Sequence, residues 1–425
     1  MLDPTLVREH PETVRRGVRT KRIDGAEAAL DALLLADEEH RLLRRELEGL
    51  QARRNADSKE IGARKRAGEG ADDLMRRVAE VSAEAKRLEE RERALRERIG
   101  RLRLELPNLP HDSVPVGESP HDNVVVHERP GVDQVGDPEP HWSYMERKGW
   151  LDQEAGHRIA GSGFMVLRGN GVRLARALES YFLARLADQG FEEVRVPVLA
   201  NEASATATGQ LPDKEGQMYR VDDGFYLIPT SEVSVTNLHR DQILDADALP
   251  IRYCALTPCF RREAGSHGKE VRGLNRVHQF DKVEMVAFTT AEQGYAMLET
   301  MTELAEELLS ALGLRYRRLL MCSADMGFTQ AKKYDLEAWS PAQDRWLEVS
   351  SISHLGDFQA RRLQTRARPG GGGASGRTQP VHTLNGSALA LPRTIAALVE
   401  TYQTAEGELA LPDVLVPYLG SERLR

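Results

Sequence analysis

Hydrophobic and polar positions recur with two different periods along the chain, and the change of period divides it. From residue 74 to residue 106 the apolar residues are spaced alternately four and three apart, with one polar interruption at Glu92. This is the heptad spacing of a helix that packs along a second helix. The residues on this seam are Leu74, Val78, Val81, Ala85, Leu88, Leu95, Ile99, Leu102 and Leu106.

A weaker stripe of the same kind precedes the seam and predicts its partner helix. It consists of Ala36, Leu43, Leu47, Leu50 and Ile61. Between the two stripes, AGEGADD (67–73) holds two glycines that can turn the chain, and we expect Asp72 or Asp73 to cap the next helix. Residues 26–106 therefore predict two antiparallel helices. At about 1.5 Å per residue they would form an arm on the order of 50 Å long.

The period changes after a linker rich in proline and aspartate, residues 107–150. The later strand-like runs are 191–200, 224–230, 251–260, 279–288, 315–323, 335–339 and 346–353, with helices predicted at 172–189 and 290–313. Strands that follow one another with few intervening helices favour an α+β fold with a mostly antiparallel sheet. We predict an N-terminal domain over residues 1–110 and a second domain over 111–425.

Composition narrows the class of protein. The 425 residues are 40% hydrophobic, enough for a large core, and the net charge of −8 gives no overall sign of nucleic-acid binding. The cysteines, Cys254, Cys259 and Cys322, form no CxxC pair, which favours reduced thiols over a disulfide framework or a zinc site. Because no leader-like or membrane-spanning apolar segment occurs, we expect a soluble cytoplasmic protein.

Basic residues of the predicted arm gather near its turn, although the arm as a whole has balanced charges. They are Arg53, Arg54, Lys59, Arg64, Lys65, Arg66, Arg76 and Arg77. One interpretation is a solvated coiled coil with ion pairs between successive turns, and the pattern alone favours it. The other is an RNA-binding arm whose cations meet phosphates, and it would explain why a long hairpin is present.

The stretch FRREAGSHGKEVRGLNRVHQF (260–280) carries candidate chemistry. Arg261 and Glu263 lie two apart at the end of a predicted strand, so we expect them on one face. A guanidinium there is a fork for phosphate or carboxylate, and Phe280 offers a face on which a base can stack. The loop from Gly265 to Gly273 is expected to close on polyphosphate or RNA. For Arg-x-Glu alone, a surface hairpin with an incidental salt bridge is the favoured interpretation.

Two later stretches add groups that suit a phosphate site. LEVSSIS (347–353) places Glu348 and Ser350 on one strand face, with Ser351 on the other unless a bulge turns it, and such hard oxygens suit Mg²⁺. In HTLNGSALALPRTIAALVETYQ (382–403) a strand ends near Pro392, and Arg393 stands at the start of a helix, which favours an anion site. No GxGxxG or GxxxxGK[ST] motif occurs, so a nucleotide needs another architecture.

These motifs in this order resemble a known class. Arg-x-Glu, loop and Phe, with strand–Arg–helix about 130 residues later, are similar to motifs 2 and 3 of class II aminoacyl-tRNA synthetases. Pro197, after the helix at 172–189, resembles motif 1, which builds the dimer interface in that class. The chain most resembles bacterial seryl-tRNA synthetases, and the helical arm is a hallmark of that family. The matching stretches are TGQLP (208–212), PTSEVSVTNL (229–238), TPCFRREAGS (257–266), RGLNRVHQFDKVE (272–284), DFQARR (357–362) and HTLNGS (382–387).

The resemblance implies that a homodimer uses ATP and Mg²⁺ to ligate L-serine to tRNA(Ser), and to tRNA(Sec), through a seryl-adenylate. It implies catalytic roles for Arg261, Glu348 and Arg393, with Mg²⁺ on Glu348 and Ser351. The implied ATP-binding residues are Arg261, Arg262, Glu263, Val277, Phe280, Glu348, Val349, Ser350, Ser351 and Arg393. The implied serine-binding residues are Thr230, Ser231, Glu232, Arg261, Glu284, Asn385 and Ser387. The basic residues near the arm's turn would contact tRNA.

The chain departs from the usual family pattern at several uncharged positions. These are Ser231, Ser234, Ile352, His354, Leu355, Gly356, Ala388 and Pro392, and PGGGGASG (369–376) looks like an unstructured insertion. They leave open a divergent paralogue with altered pocket selectivity, either inhibitor-tolerant or serving a specialised pathway. An amino acid:carrier-protein ligase and a non-catalytic RNA-binding relative are further alternatives. The intact arm disfavours the former, and the retained charged residues disfavour the latter.

Overall fold

The computed structural model describes residues 1–133, 136–213, 216–263, 272–368 and 377–425. Most of the predicted loop from Gly265 to Gly273, and the whole of 369–376, lie outside these ranges. The described chain divides into two compact units, Met1–Pro107 and Asn108–Arg425. None of the described helices combines the length and the hydrophobicity that a membrane span requires.

The α-helices of the described residues are α1 (Pro4–Glu9), α2 (Pro11–Thr20), α3 (Ala26–Ala67), α4 (Asp72–Glu105), α5 (His141–Arg147), α6 (Gln153–Ala160), α7 (Asn170–Asp188), α8 (Glu202–Thr208), α9 (Glu232–Thr236), α10 (Ala291–Ala311), α11 (Phe358–Leu363), α12 (Leu391–Thr401) and α13 (Val416–Leu419). The strands are β1 (Val124–Arg129), β2 (Leu151–Asp152), β3 (Val166–Leu167), β4 (Glu192–Glu193), β5 (Leu199–Ala200), β6 (Tyr219–Arg220), β7 (Tyr226–Leu227), β8 (Ile243–Asp245), β9 (Ile251–Phe260), β10 (Gln279–Thr289), β11 (Tyr316–Leu320), β12 (Lys332–Ser340), β13 (Arg345–His354), β14 (Arg366–Arg368), β15 (Gln379–Pro380), β16 (His382–Ala390), β17 (Leu409–Ala410) and β18 (Arg423–Leu424).

In the N-terminal unit, α3 and α4 pack against each other as the predicted arm. The two predicted stripes meet in one apolar cluster formed by Ala36, Leu43, Leu47, Ala85, Leu88 and Leu95. Helix α3 ends at Ala67 and is followed by its C-cap, Gly68, whose φ of 75° is in the left-handed region that glycine adopts without strain. The predicted cap is wrong, because Ala71 is the N-cap of α4. Asp72 and Asp73 instead lie in its first turn, where carboxylates favour the helix dipole.

The second unit is built on an eight-stranded sheet, counted over the described residues, with strand order β1-β11-β12-β13-β16-β10-β9-β4. Every neighbouring pair is antiparallel except β4 and β9, so the predicted mostly antiparallel α+β fold is confirmed. One face packs on α7, α10 and α12 in the main core. The opposite face carries the smaller core that includes Val235 of α9 and Ala360 of α11, and the cleft described below.

Two predicted strands are much shorter in the structure. Residues 191–200 form only β4 and β5, and 224–230 form only β7. Pro197 lies between β4 and β5, where it has no N–H to contribute to a ladder. The other predicted strands correspond to β9, β10, β11, β12 and β13, and their ends shift by a few residues.

Candidate active site

Strand β10 positions one side of a cleft through simple alternation. Phe280, Lys282 and Glu284 face the cleft, while Val283 and Met285 face the main core. This is the two-residue period of a strand whose two faces have different partners. This interior strand of the sheet therefore presents an aromatic ring, a cation and a carboxylate in a row.

The cleft is open to solvent and has a cavity volume of about 310 Å³. It brings together residues from distant parts of the chain, including most of those predicted from the sequence. Its lining consists of Gln210, Thr230, Glu232, Arg261, Glu263, Leu274, Asn275, Arg276, Val277, Phe280, Lys282, Glu284, Gln330, Glu348, Val349, Ser350, Ser351, Ser353, Asn385, Ser387, Ala390, Pro392 and Arg393.

At one end of the cleft lies a buried polar cluster. The ammonium of Lys282 is 2.7 Å from Glu284 Oε2, and it donates to Thr230 Oγ1 at 2.9 Å. Ser387, which stands opposite Glu284 on the neighbouring strand β16, donates its hydroxyl to Glu284 Oε2 at 3.1 Å. Because each of these groups has a polar partner, this end of the cleft can hold charge without an unpaired ion.

A second carboxylate in the cleft belongs to Glu232, the first residue of α9. Its Oε1 accepts from Nε2 of Gln359 at 2.7 Å, and Asn385 also hydrogen-bonds to the carboxylate. Burial, and then the negative charge of Glu284, raise the pKa of Glu232 to about 7. A ligand cation placed here would favour the ionised form, so the cluster suits an ammonium group.

The same cleft holds a cation over an aromatic ring. The guanidinium carbon of Arg261 lies 5.3 Å from the centre of the Phe280 ring, and its Nε donates to the carbonyl of Pro229 at 3.3 Å. A flat group could stack against this ring, with the guanidinium close to any phosphate it carries.

The predicted reason for pairing Arg261 with Glu263 is wrong, although both residues line the cleft. Strand β9 ends at Phe260, so no strand alternation relates them. Glu263 has a φ of 48°, in the left-handed region, and its carboxylate forms an ion pair with Arg276. Its position therefore comes from a turned backbone and a basic partner.

On β13 a bulge decides which side chains face the cleft. Glu348 pairs with Glu337 and Ser350 pairs with Leu336, so Val349 is the extra residue. As a result Glu348 and Ser351 are more accessible than Val349 and Ser350, which are buried between them. The predicted pairing of Glu348 with Ser350 on one face is replaced by Glu348 with Ser351.

Two carboxylates near this bulge, Glu348 and Asp335, are each influenced by burial and by neighbouring positive charges, which shift their pKa values in opposite directions. The side chain of Glu348 is 48% exposed to the cleft although it stands within the body of the unit. Desolvation opposes its ionisation, but the positive charges of Lys333, Arg393 and Arg261 outweigh it and lower its pKa. Next to it, burial raises the pKa of Asp335 to about 7, while the ammonium of Lys333 3.0 Å away and a hydrogen bond from Ser351 oppose the rise.

Arg393 stands in the first turn of α12, one residue after Pro392. Its Nε donates to the carbonyl of Asn275 at 2.8 Å, and its Nη1 donates to the carbonyl of Glu348 at 3.0 Å. Main-chain oxygens thus hold the guanidinium at a helix N-terminus, and the Glu348 carboxylate remains 3.8 Å away. This arrangement leaves positive charge available for an anion.

Two predicted ligand-binding residues do not line the cleft. The side chain of Arg262 is exposed to solvent. Ser231 is fully buried, and its hydroxyl has no hydrogen-bond partner within the described residues. Conversely, the sequence patterns do not single out Lys282, Asn275 or Arg276. Lys282 could have been found from the sequence, because it lies two residues before Glu284 on one predicted strand and so shares its face.

Of the unusual residues, Pro392 lines the cleft, and the others are absent from its lining. Ser234 donates its hydroxyl to the carbonyl of Pro197 at 2.6 Å. Ile352, Leu355 and His354 are buried and are absent from the cleft lining. Their differences from the usual pattern therefore act on packing behind the cleft.

The fold and the cleft belong to a known class of enzymes. Residues 218–402 match the family described as tRNA synthetase class II core domain (G, H, P, S and T). Residues 1–110 match the family described as seryl-tRNA synthetase N-terminal domain. Together with the full-length relatives described next, these matches show that the chain belongs to the seryl-tRNA synthetase (serine–tRNA ligase) family.

Serine–tRNA ligases from two bacteria illustrate the likeness. The one from Salinibacter ruber is 49% identical, across 100% of this chain and 99% of the relative. The one from Caldanaerobacter subterraneus subsp. tengcongensis is 46% identical, across 100% of this chain and 99% of the relative. Seryl-tRNA synthetase from Pyrococcus horikoshii complexed with ATP superposes with a TM-score of 0.95 at 34% identity, covering 100% of this chain and 99% of that one. Cytoplasmic serine–tRNA ligase from Naegleria fowleri in complex with AMP superposes with a TM-score of 0.89 at 28% identity, covering 100% of this chain and 99% of that one.

Proposed function

We propose that the protein ligates L-serine to tRNA(Ser), and to tRNA(Sec), through a seryl-adenylate formed from ATP. The observation that carries this proposal is that a single cleft holds all the groups these substrates need. Carboxylates suited to an ammonium and a hydroxyl, Arg261 over Phe280, and Arg393 at a helix N-terminus line the same cleft. An amino acid and a nucleotide bound together there can meet all of these groups.

The amino-acid end explains selectivity for serine. Glu232 and Thr230 receive the ammonium, and Glu284 with Ser387 receives the hydroxyl, while Asn385 supports Glu232. Alanine would leave the buried Glu284 without its hydroxyl partner. A site built to hydrogen-bond a substrate hydroxyl rejects the analogue that lacks it far more strongly than an apolar pocket rejects a missing methyl.

The nucleotide end positions ATP for in-line attack. Phe280 stacks on adenine, Glu263 and the main chain of Val277 meet the base edge, and Arg261 and Arg393 hold the α- and γ-phosphates. Val349 and Ser350 line the same cleft. The serine carboxylate attacks the α-phosphorus, an oxygen–phosphorus bond forms, and pyrophosphate leaves. Positioning and charge neutralisation supply the catalysis, since no side-chain nucleophile is needed.

The donor set beside the phosphates fits Mg²⁺. Glu348 and Ser351 present a carboxylate and a hydroxyl to one side because of the bulge. Within the described residues no group of three or more His, Cys, Asp or Glu side chains could hold a metal alone. Mg²⁺ commonly takes one or two protein oxygens together with substrate phosphates, and bound here it would neutralise phosphate charge.

In the second step of the reaction, serine is transferred to tRNA, which the N-terminal unit binds. The 3′-terminal ribose hydroxyl of tRNA attacks the seryl carbonyl, and AMP leaves. The residues 1–110 bind tRNA through the arm, where Arg53, Lys59, Arg66 and Arg76 are exposed to solvent and can reach phosphates. The protein acts as a homodimer through the region of α7 and Pro197, and it works in the cytoplasm.

Two measurements test the proposal in sequence. Serine-dependent ATP–pyrophosphate exchange tests the first step, and charging of tRNA(Ser) tests the second. Absence of exchange with serine would contradict the proposed function. Exchange without charging would instead favour an amino acid:carrier-protein ligase. The position of Ile352 and His354 behind the cleft gives no support to a pocket with altered selectivity.

A further inference from the structure

Gln359, on α11, lies behind the amino-acid end of the cleft and is 1% exposed. Its Nε2 donates to Glu232 Oε1 at 2.7 Å and to the carbonyl of Thr208 at 3.0 Å. Its Oε1 accepts from the hydroxyl of Thr383 at 2.8 Å. Two acceptors on one side and a donor on the other fix the amide orientation, because a reversed amide would point its oxygen at two other oxygens.

Glu232 depends on such neutral donors. Within the described part of the chain it forms no ion pair, because the ammonium of Lys282 contacts Glu284 and Thr230 instead. Two carboxylates and one ammonium leave an excess negative charge when Glu232 is ionised. A cationic side chain in place of Gln359 would neutralise that excess, whereas an amide holds the carboxylate and leaves its charge for a substrate.

We propose that Gln359 is a positioning residue for amino-acid binding: its amide holds the Glu232 carboxylate in the orientation and charge state that receive the substrate ammonium. This inference rests on the proposed function. Gln359 is absent from the cleft lining, so it acts through Glu232. Thr383 supports it by fixing the amide.

The pH behaviour of Glu232 gives an independent readout. Burial and the charge of Glu284 raise its pKa to about 7, while the hydrogen bonds from Gln359 and Asn385 and the charge of Lys282 lower it. Glu284 and Lys282 are the charged groups on β10 that face it, and α11 and β16 present neutral amides. Removing the donors of Gln359 raises the pKa further. Serine binding needs the ionised carboxylate. As the pH is lowered, serine binding by the variant therefore begins to weaken at a higher pH than serine binding by the wild type.

The test is serine-dependent ATP–pyrophosphate exchange by the full chain and by Gln359→Met, which is similar in length but has no donor. Across roughly pH 6 to 9, we expect the KM for serine to rise by roughly 10- to 100-fold, the effect of losing one hydrogen bond to a charged group. The KM for ATP stays unchanged, and the acid limb of kcat/KM for serine moves to higher pH. Gln242→Met, the same change at an exposed glutamine, should behave like the wild type.

Thr383→Val provides a second route if Gln359→Met does not fold. It keeps Gln359 but releases the amide oxygen, and a smaller rise in the KM for serine is expected. An unchanged KM and pH limb in folded Gln359→Met, or an equal rise of KM for ATP and serine, would overturn the positioning role. If the wild type itself lacks serine-dependent exchange, the proposed function fails first, which separates the two outcomes.

Discussion

Lys282 Nζ and Glu284 Oε2 lie 2.7 Å apart in a buried ion pair, two residues apart on one strand. Their side chains are only 6% and 3% exposed, so neither charge is hydrated by bulk water. Thr230 and Ser387 supply further hydrogen bonds. The pair therefore joins the floor of the cleft to the two segments that would contact serine.

Removing one partner of this ion pair should strongly destabilise the folded protein. In Lys282→Met the buried Glu284 carboxylate loses its counter-ion, which typically costs about 3–5 kcal/mol in the free energy of unfolding. Urea unfolding measures this loss. The double variant Lys282→Met/Glu284→Leu should recover most of the stability, since apolar replacements of buried pairs are often neutral. It should not recover serine activation. A single variant as stable as the wild type would contradict the buried ion pair.

Arg393→Lys should weaken the use of ATP. The guanidinium is fixed by two main-chain carbonyls, and a lysine cannot make both contacts while pointing charge at a phosphate. We expect a fall of roughly 100- to 1,000-fold in kcat/KM for ATP, as for the loss of one preorganised donor. Pyrophosphate exchange measures it. Arg168→Lys, at an exposed arginine paired with Asp152, is the matched control and should have little effect.

Serine affinity should decline in acid. The pKa of Glu232 is raised to about 7, so below that pH the carboxylate takes up a proton that a serine ammonium must displace. We expect kcat/KM for serine to fall about tenfold per pH unit below about pH 7, as for one essential ionisation. Glu232→Gln should remove this limb along with most binding. A flat profile down to about pH 5 would show that Glu232 is ionised in the free enzyme.

Acid should also destabilise the fold through His354. Burial, and then the nearby His382, lower the pKa of His354 to about 3, and its Nε2 lies 3.3 Å from Nδ1 of His382. Between the ordinary pKa and this value the unfolded chain binds a proton that the native state does not. The free energy of unfolding therefore falls by about 1.4 kcal/mol per pH unit as pH decreases through that window.

Thermal unfolding of His354→Gln at several pH values checks this. The variant should be less stable near neutral pH but should show a shallower loss of Tm in acid, because glutamine does not titrate. His157→Gln, at an exposed histidine, should follow the wild type. An unchanged acid slope in His354→Gln would place the responsible group elsewhere.

Shortening the arm should separate the two reaction steps. Residues 45–87 can be replaced by a short glycine linker, which keeps the contact of His40 Nε2 with Glu92 at 2.9 Å near the base. Pyrophosphate exchange should remain close to that of the full chain, while charging of tRNA(Ser) should be lost. Charging at the full rate would contradict the tRNA-binding role of the arm.

Local periodicity was enough to predict much of the fold. The heptad stripes of α3 and α4 and the runs that became β9, β10, β12 and β13 appear in the sequence because helix and strand periods depend on nearest neighbours. The motif residues Arg261, Phe280 and Arg393 could be recognised by their types and order.

The sequence by itself thus determined the arm, the mostly antiparallel body and the resemblance to a synthetase. Tertiary structure alone decided the bulge at Val349 and the turned backbone of Glu263. It also decided the contact between Gln359 and Glu232, which are 127 positions apart. These features depend on strand register and on partners distant in sequence. The physical reason is that a side chain's direction follows from its own backbone, whereas its burial and charge state follow from whatever the fold brings against it.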